Sequence, residues 1–167
     1  HFADWLPTLA AMTGCAPVGN LPLDGIDASP LLRGERGKTC TKRFWQWNRY
    51  TPDVRTNAAV RDGDWKLVRP AIAESMAAPC CHPWLTVSMY APEYFEHFGL
   101  IPDPEPARNW PTPSQAELYN LADDPNEEHN LAAEQPDRVH RLNRELEAWF
   151  ASVERDRASI PADSLGM

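Results

Sequence analysis

The chain has 167 residues, 43% of them hydrophobic and 24% charged, with a net charge of -8, which is enough for one domain burying about 68–70% of the surface its unfolded chain exposes. No apolar run approaches the roughly 20 residues that a membrane span needs, and the acidic balance argues against a nucleic-acid partner. Seventeen prolines against eight glycines predict long extended or looped stretches. The chain opens on His1 with no basic-then-apolar leader, and so reads as a piece of something longer. Its four cysteines, Cys15, Cys40, Cys80 and Cys81, are too few for a disulfide scaffold.

In chain order, Asp4 is an N-cap candidate, and Leu6, Leu9, Ala10 and Thr13 fall at helical spacing before Gly14, which predicts a short helix over residues 4–13. Ala16 to Gly25 breaks regular structure repeatedly. Ser29-Pro30 predicts one capped helical turn, with Ser29 as cap and Pro30 at the first helical position. From Arg43 to Asn48, Phe44-Trp45-Gln46-Trp47 fits a strand with alternating faces. Residues 57–70 then read as a hairpin: two apolar runs flank Asp62-Gly63-Asp64, with glycine where a positive φ is required.

Residues 71–115 form a proline-rich insertion. Within it, 84–90 is a candidate extra edge strand and 92–98 a candidate short helix. A loop of this length usually works as a lid, a binding surface or a linker. Glu117 to Leu121 is a fourth strand. The last helix is the best defined: Pro136 opens it, and Val139, Leu142, Leu146, Trp149, Phe150 and Val153 make one apolar stripe that must lie across the sheet. Beyond Arg157 no periodicity remains, and the tail is expected to fray. The fold class is therefore α+β, a small antiparallel sheet of about four strands packed against a C-terminal helix, with a long irregular insertion.

Chemistry-bearing motifs are sparse. Cys80-Cys81-His82 has no second ligand pair at zinc spacing. Asp123 to Glu128 has carboxylates but neither the alternation nor the glycine of an EF-hand loop, and reads as a turn with a solvated acidic face. No serine–histidine–aspartate order, phosphate-cradling glycine loop or zinc-protease motif is present. What remains are aromatic and polar groups expected near one end of the sheet: Trp45, Trp47, Asn48, Arg49, Asn57 and Arg61, of which Trp45 reads first as a core residue of its strand. Aromatic faces with Arg and Asn suit sugars or anionic esters, because guanidinium grips sulfate or carboxylate in a fork.

Four stretches, in order and at matching spacing, carry a family resemblance: Asp4 to Gly14, Leu23 to Gly34, Ala59 to Val68, and Glu117 to Ala132. Together they resemble the C-terminal part of arylsulfatase-like sulfatases, a group related to alkaline phosphatase, over residues 1–155 with the insertion uncovered. The resemblance implies that residues 1–36 are the tail of the catalytic domain, 37–157 the smaller C-terminal subdomain and 158–167 a frayed tail. It implies that the parent's formylglycine nucleophile, its calcium ion and the Lys and His groups that handle sulfate lie upstream of the helix at 4–13, in a missing N-terminal catalytic domain that would be this chain's partner. Cys15-Ala16-Pro17 begins like the nucleophile motif Cys-x-Pro-x-Arg, but position 19 is Gly; a small buried apolar side chain is the expectation for Cys15.

The expectation is thus the C-terminal fragment of a sulfatase whose parent hydrolyses a sulfated small molecule or glycan. The fragment itself would be inactive, would hold no cofactor or metal, and would close one wall of the substrate cleft. The resemblance alone suggests a periplasmic or extracellular bacterial setting. Two alternatives stand beside it: a binding module for sulfated glycans or other anionic ligands, which the acidic charge weakens, and a structural or oligomerisation domain using the apolar stripe with Trp149.

Overall fold

The computed structural model describes residues 1–16, 23–36, 42–48, 51–76 and 107–159. They fall into two compact units, His1–Arg43 and Phe44–Met167. No helix among the described residues is long and apolar enough to cross a membrane.

In the first unit a 3-10 turn, Phe2–Asp4, runs into helix α1, Trp5–Thr13. Gly14 stops α1 in the left-handed conformation at φ 69°, where its missing Cβ removes the penalty other residues meet. A single turn, α2, covers Ser29–Leu32. Of the two expected caps, one keeps its position without the side-chain bond and the other is corrected. Asp4 occupies the N-cap position without making a side-chain cap bond. Its Oδ1 reaches across the unit instead, accepting the Ile26 N–H at 2.9 Å and the Arg43 guanidinium at 2.6 Å. Ser29 is the first residue of α2 rather than its cap, which is Ala28. The oxygen that receives an early N–H is Asp27 Oδ1, 2.8 Å from Ser29 N. Thr8 is the pivot: its hydroxyl donates to Ile26 O at 3.4 Å and accepts the Ala28 N–H at 2.9 Å. Gly25 is dictated by proximity, since a Cβ there would stand 1.9 Å from Ala3 O. The apolar side chains of α1 face outward, with Trp5, Leu6, Leu9 and Met12 each more than half exposed.

The sheet has four strands in the order β1-β2-β3-β4: β1 Lys42–Gln46, β2 Ala58–Asp62, β3 Trp65–Arg69 and β4 Glu117–Asn120. In this antiparallel arrangement Val60 lies opposite Leu67, and Leu67 opposite Leu118, so one face carries a continuous apolar row. The β2–β3 turn places Gly63 at φ 62°, as the hairpin pattern requires. β1 ends at Gln46, short of the expected Asn48. The cause is Asn57, whose φ of 47° takes the chain out of extended geometry just before β2 begins.

Across that face lies α4, Pro136–Ser159. Leu142 and Leu146 are fully buried against Ala58, Val60, Leu67 and Leu118, at roughly 1.5–3 kcal/mol for each large side chain removed from water. Phe44 and Trp149 stack with ring centroids 5.2 Å apart and planes 6° from parallel, so Trp149 is spent on the chain's own core. The helix outlasts its apolar stripe: residues 158–159, expected to fray, stay helical, supported by the Arg157–Glu154 ion pair at 2.6 Å and the Ser159 hydroxyl on Asp156 O. Polar ties fix the helix over the sheet. Arg69 binds Asn143 Oδ1, Glu147 Oε1 and Val54 O, Arg141 pairs with Asp62 at 2.9 Å, and the Arg138 guanidinium lies 3.9 Å above the Trp65 ring.

The outer edge of β4 is closed by the chain itself. Leu118 N–H donates to Asn130 Oδ1 at 3.1 Å, and Leu118 O accepts the Leu131 N–H at 2.8 Å. Asn120 O receives the N–H groups of Asp123 and Asp124. In the insertion one helical turn, α3, spans Ala73–Met76. The buried Thr56 hydroxyl anchors its approach by donating to Pro70 O at 3.0 Å and accepting the Ile72 N–H at 2.7 Å. The strand expected at 84–90 and the helix expected at 92–98 lie outside the described residues.

Candidate functional site

Trp47, Asn48 and Asn57 come together at the end of the sheet where β1 leaves and β2 begins. The Asn57 carbonyl accepts the Trp47 N–H at 3.1 Å, and its side-chain amide donates to Trp47 O at 2.5 Å and approaches Met76 Sδ at 3.3 Å. Asn48 closes the loop that follows. Its Oδ1 accepts from the Gln46 amide and from the Asp53 N–H at 3.0 Å, and its Nδ2 donates to Thr51 O at 3.0 Å. Both asparagines therefore commit their side chains to shaping the loop. Trp47 is 54% exposed.

Arg61 stands apart from this group. It lies four residues along β2 from Asn57, about 13 Å at the rise of a strand, where its Nε donates to Gly63 O at 2.9 Å beside the hairpin turn. Arg49 lies outside the described residues. Trp45 alternates with Phe44 and so belongs to the sheet face away from α4, 38% exposed.

At the Trp47 end the structure adds groups that the sequence reading did not single out. The Asp53 carboxylate receives the Arg55 guanidinium through Nε at 3.0 Å and a terminal nitrogen at 2.5 Å, and Arg108 approaches it at 3.9 Å. The Arg55 side chain is 63% exposed while that of Asp53 is only 13% exposed. Arg108 lies 4.6 Å over the Trp110 ring and donates to Thr51 O. The hydrogen bonds from Arg55 hold the Asp53 carboxyl below its ordinary range; burial opposes this, and the Arg55 N–H and the two guanidinium charges assist it. Asp-x-Arg at 53–55 was visible in the sequence, but no periodicity connects it to Arg108 within the insertion.

A groove of about 690 Å³ runs between residues 114–117, residues 130–133 and the first turns of α4, lined among others by Ala116, Glu117, Asn130, Val139, His140 and Asn143. Its amides are structural: Asn130 Oδ1 holds the N–H groups of Leu118 and Ala132, and Asn143 Oδ1 holds Arg69. Glu117 accepts from the Tyr119 hydroxyl at 2.9 Å. Burial, and then this carboxylate and its neighbours, push that hydroxyl up to about 12.

Among the described residues no three His, Cys, Asp or Glu side chains are grouped to hold a metal ion. The acidic run at 123–128 is a turn in which three carboxylates have partners within the chain. Asp124 accepts the N–H groups of Glu128 at 3.1 Å and His129 at 2.9 Å, Asp123 accepts from Asn120, and Glu127 pairs with Lys66 at 2.5 Å. Cys15, expected as a buried side chain, is exposed, because α1 has already ended at Gly14 and turns it outward. Cys40, Cys80, Cys81 and His82 lie outside the described residues.

No family model matches the chain. Known proteins do: arylsulfatase A of Homo sapiens is 33% identical over 132 residues, covering 77% of this chain and 21% of that protein. Arylsulfatase A of Bos taurus is 35% identical over 124 residues, 72% of this chain and 22% of the relative. Among solved structures, a candidate sulfatase from Bacteroides thetaiotaomicron VPI-5482 is similar in fold at 20% identity, with a TM-score of 0.52 over 95% of this chain and 26% of the other. A 2-O GAG sulfatase gives 20% identity and a TM-score of 0.50 over the same shares. The chain thus spans about a fifth of the curated relatives it matches.

Proposed function

We propose that this chain, a relative of the arylsulfatase-like sulfatases over about a fifth of their length, is the C-terminal part of an enzyme that hydrolyses sulfate esters. The observation that carries the reading is the 33% identity to arylsulfatase A over 132 residues. The unpartnered apolar side chains of α1 support it: Trp5, Leu6, Leu9 and Met12 are what a helix presents when it belongs against further protein. In this reading the partner is an N-terminal catalytic domain, and the substrate is a sulfated small molecule or glycan.

In such a parent, formylglycine and calcium supply the nucleophile and the neutralising charge. The described residues do not fit either group, since Cys15 lacks the Arg at position 19 that its motif requires and no carboxylates are grouped as ligands. The part assigned to this chain is to wall the substrate cleft. Trp47 offers an exposed aromatic face at the end of the sheet, while Asn48 and Asn57 act as positioning residues that hold its loop.

The test has two arms. The coding sequence upstream of His1 is read for Cys-x-Pro-x-Arg or Ser-x-Pro-x-Arg, and the longer product and the 167-residue chain are compared on 4-nitrophenyl sulfate. The reading expects the motif, turnover by the longer chain and none by the shorter. Turnover by the 167-residue chain at a rate comparable to the longer product, or an upstream sequence without the motif, overturns it.

A further inference from the structure

Asn57 ties together the ends of β1, β3 and α3. Its N–H donates to Pro70 O at 3.3 Å, just past β3, and its carbonyl accepts the Trp47 N–H at 3.1 Å, just past β1. Its side-chain Nδ2 donates to Trp47 O at 2.5 Å and also reaches a sulfur, Met76 Sδ, at 3.3 Å; an amide nitrogen has a hydrogen for each. Met76 is brought there by the turn it ends. Ile72 and Ser75 are buried, the Thr56 hydroxyl receives the Ile72 N–H at 2.7 Å, and the Ser75 hydroxyl donates to Ile72 O at 2.7 Å. Asn57 itself stands at φ 47°, a conformation that side chains other than glycine adopt at a cost, so the bonds around it decide whether it stays.

A thioether is a weak acceptor, and unlike the backbone groups that also hold Asn57 it is open to mild oxidation. We propose that Met76 is a site of reversible oxidation by peroxides, and that its oxidation state sets the grip of Asn57 on Trp47. A sulfur lone pair attacks one oxygen of hydrogen peroxide. The S–O bond forms as the O–O bond breaks, and the other oxygen leaves as water carrying both peroxide protons. Sulfur is oxidised and the peroxide reduced by that electron pair, and sulfoxide reductases restore the thioether. Met76 is half-buried, within reach of a small oxidant.

Either placement of the new oxygen loosens the contact. On the lone pair that faces Asn57, the oxygen needs the space now spanned by a 3.3 Å approach, and it pushes the amide away from Trp47 O. On the other lone pair, it draws electrons from the sulfur, and the amide N–H then meets a positively polarised atom. A methionine that only fills space, the ordinary role of this side chain, would leave Asn57 unmoved in both cases. The inference rests on these contacts and not on the sulfatase reading.

The experiment treats the 167-residue chain with dilute hydrogen peroxide. Peptide mass spectrometry follows conversion at each methionine, while NMR reads the Asn57 side-chain amide and hydrogen exchange at the Trp47 N–H. Met76 should convert after Met12, which is 56% exposed. Its conversion should shift the Asn57 amide resonances and speed exchange at Trp47 by roughly two- to tenfold, the scale of one hydrogen bond. A methionine sulfoxide reductase should reverse both changes. M76L, which nearly keeps the volume, should show neither response although Met12 still converts. Met76 left unconverted once Met12 is fully converted overturns the site. So do unchanged amide resonances and exchange in chain whose Met76 is converted, because the side chain would then only fill space. The same response to peroxide in M76L overturns it too, since another methionine would be the cause. If M76L loses the circular dichroism of the unsubstituted chain, the reversal decides: the original spectrum must return as Met76 is reduced, and a spectrum that does not return overturns the proposal.

Discussion

The two units solve the problem of holding a chain together by different means. In Phe44–Met167, strand and helix periodicities agree, and Val60, Leu67, Leu118, Leu142 and Leu146 vanish from solvent together. Among the described residues of His1–Arg43 the buried side chains are Thr8 and Ser29, while the large apolar residues of α1 stay outside. A buried large side chain contributes roughly 1.5–3 kcal/mol and a hydrogen bond a net 0.5–1.5 kcal/mol. The first unit is thus specified in geometry by directional bonds but gains little cohesion from them; the second has cohesion of its own. Apolar content alone does not make a core, because the residues must also fall on facing surfaces.

The sharpest way to break this contrast is L146A, which empties the centre of the second unit. A loss of about 2–5 kcal/mol is expected, measured by urea unfolding followed through Trp149 and its neighbours. A loss below about 1 kcal/mol would mean that the helix is not the clamp described here. G25A probes the other unit. A methyl group 1.9 Å from Ala3 O must push backbone from backbone, costing about 1–3 kcal/mol. Hydrogen exchange should then speed up at Ile26 and Ala28 while Leu67 and Leu118 keep their protection; equal acceleration in both units would show that they are one cooperative body.

The smallest effect at neutral pH belongs to Tyr119. Its hydroxyl is held at about 12 in the folded chain, against an ordinary value of 10.0. The folded state therefore keeps a proton that the unfolded state releases, so the support for folding is complete below about pH 10 and drains away as pH rises toward 12. Y119F should be close in stability to the unsubstituted chain at pH 8 and lose less between pH 10 and 12 in urea titrations. Parallel losses in the two proteins would place the alkaline transition elsewhere.

Much of the fold was legible because its signals are local and mutually consistent. Gly63 marks the hairpin, the spacing of Val139, Leu142, Leu146 and Trp149 marks the helix face, and the alternation around Phe44 separates a core ring from an outward one. What escaped was non-local or competitive. Asp4 has the chemistry of a cap, but Arg43 and the Ile26 N–H made a better offer to the same carboxylate. Asn57 reads as a cleft candidate by its chemistry; its positive φ, which asparagine tolerates better than most side chains, and its amide bond to Trp47 O just past β1 were not part of that reading. Arg61 lies on the strand that Asn57 leads into, and the length of that strand separates the two. The Asp53–Arg108 approach joins the loop before β2 to the far part of the insertion, beyond the reach of any pattern read along the chain.

The closure of β4 carries a consequence for how this molecule meets others. A sheet edge with open N–H and C=O groups is a template on which any extended chain can continue the ladder. Here Asn130 and Leu131 occupy the groups of Leu118, and the turn after Asn120 occupies its carbonyl. An incoming strand would have to evict the protein's own backbone before it could pair. The side chain of one asparagine, one main-chain N–H and one turn thus terminate lateral growth at this edge of the sheet, where a partner must be recognised by side chains rather than by main chain.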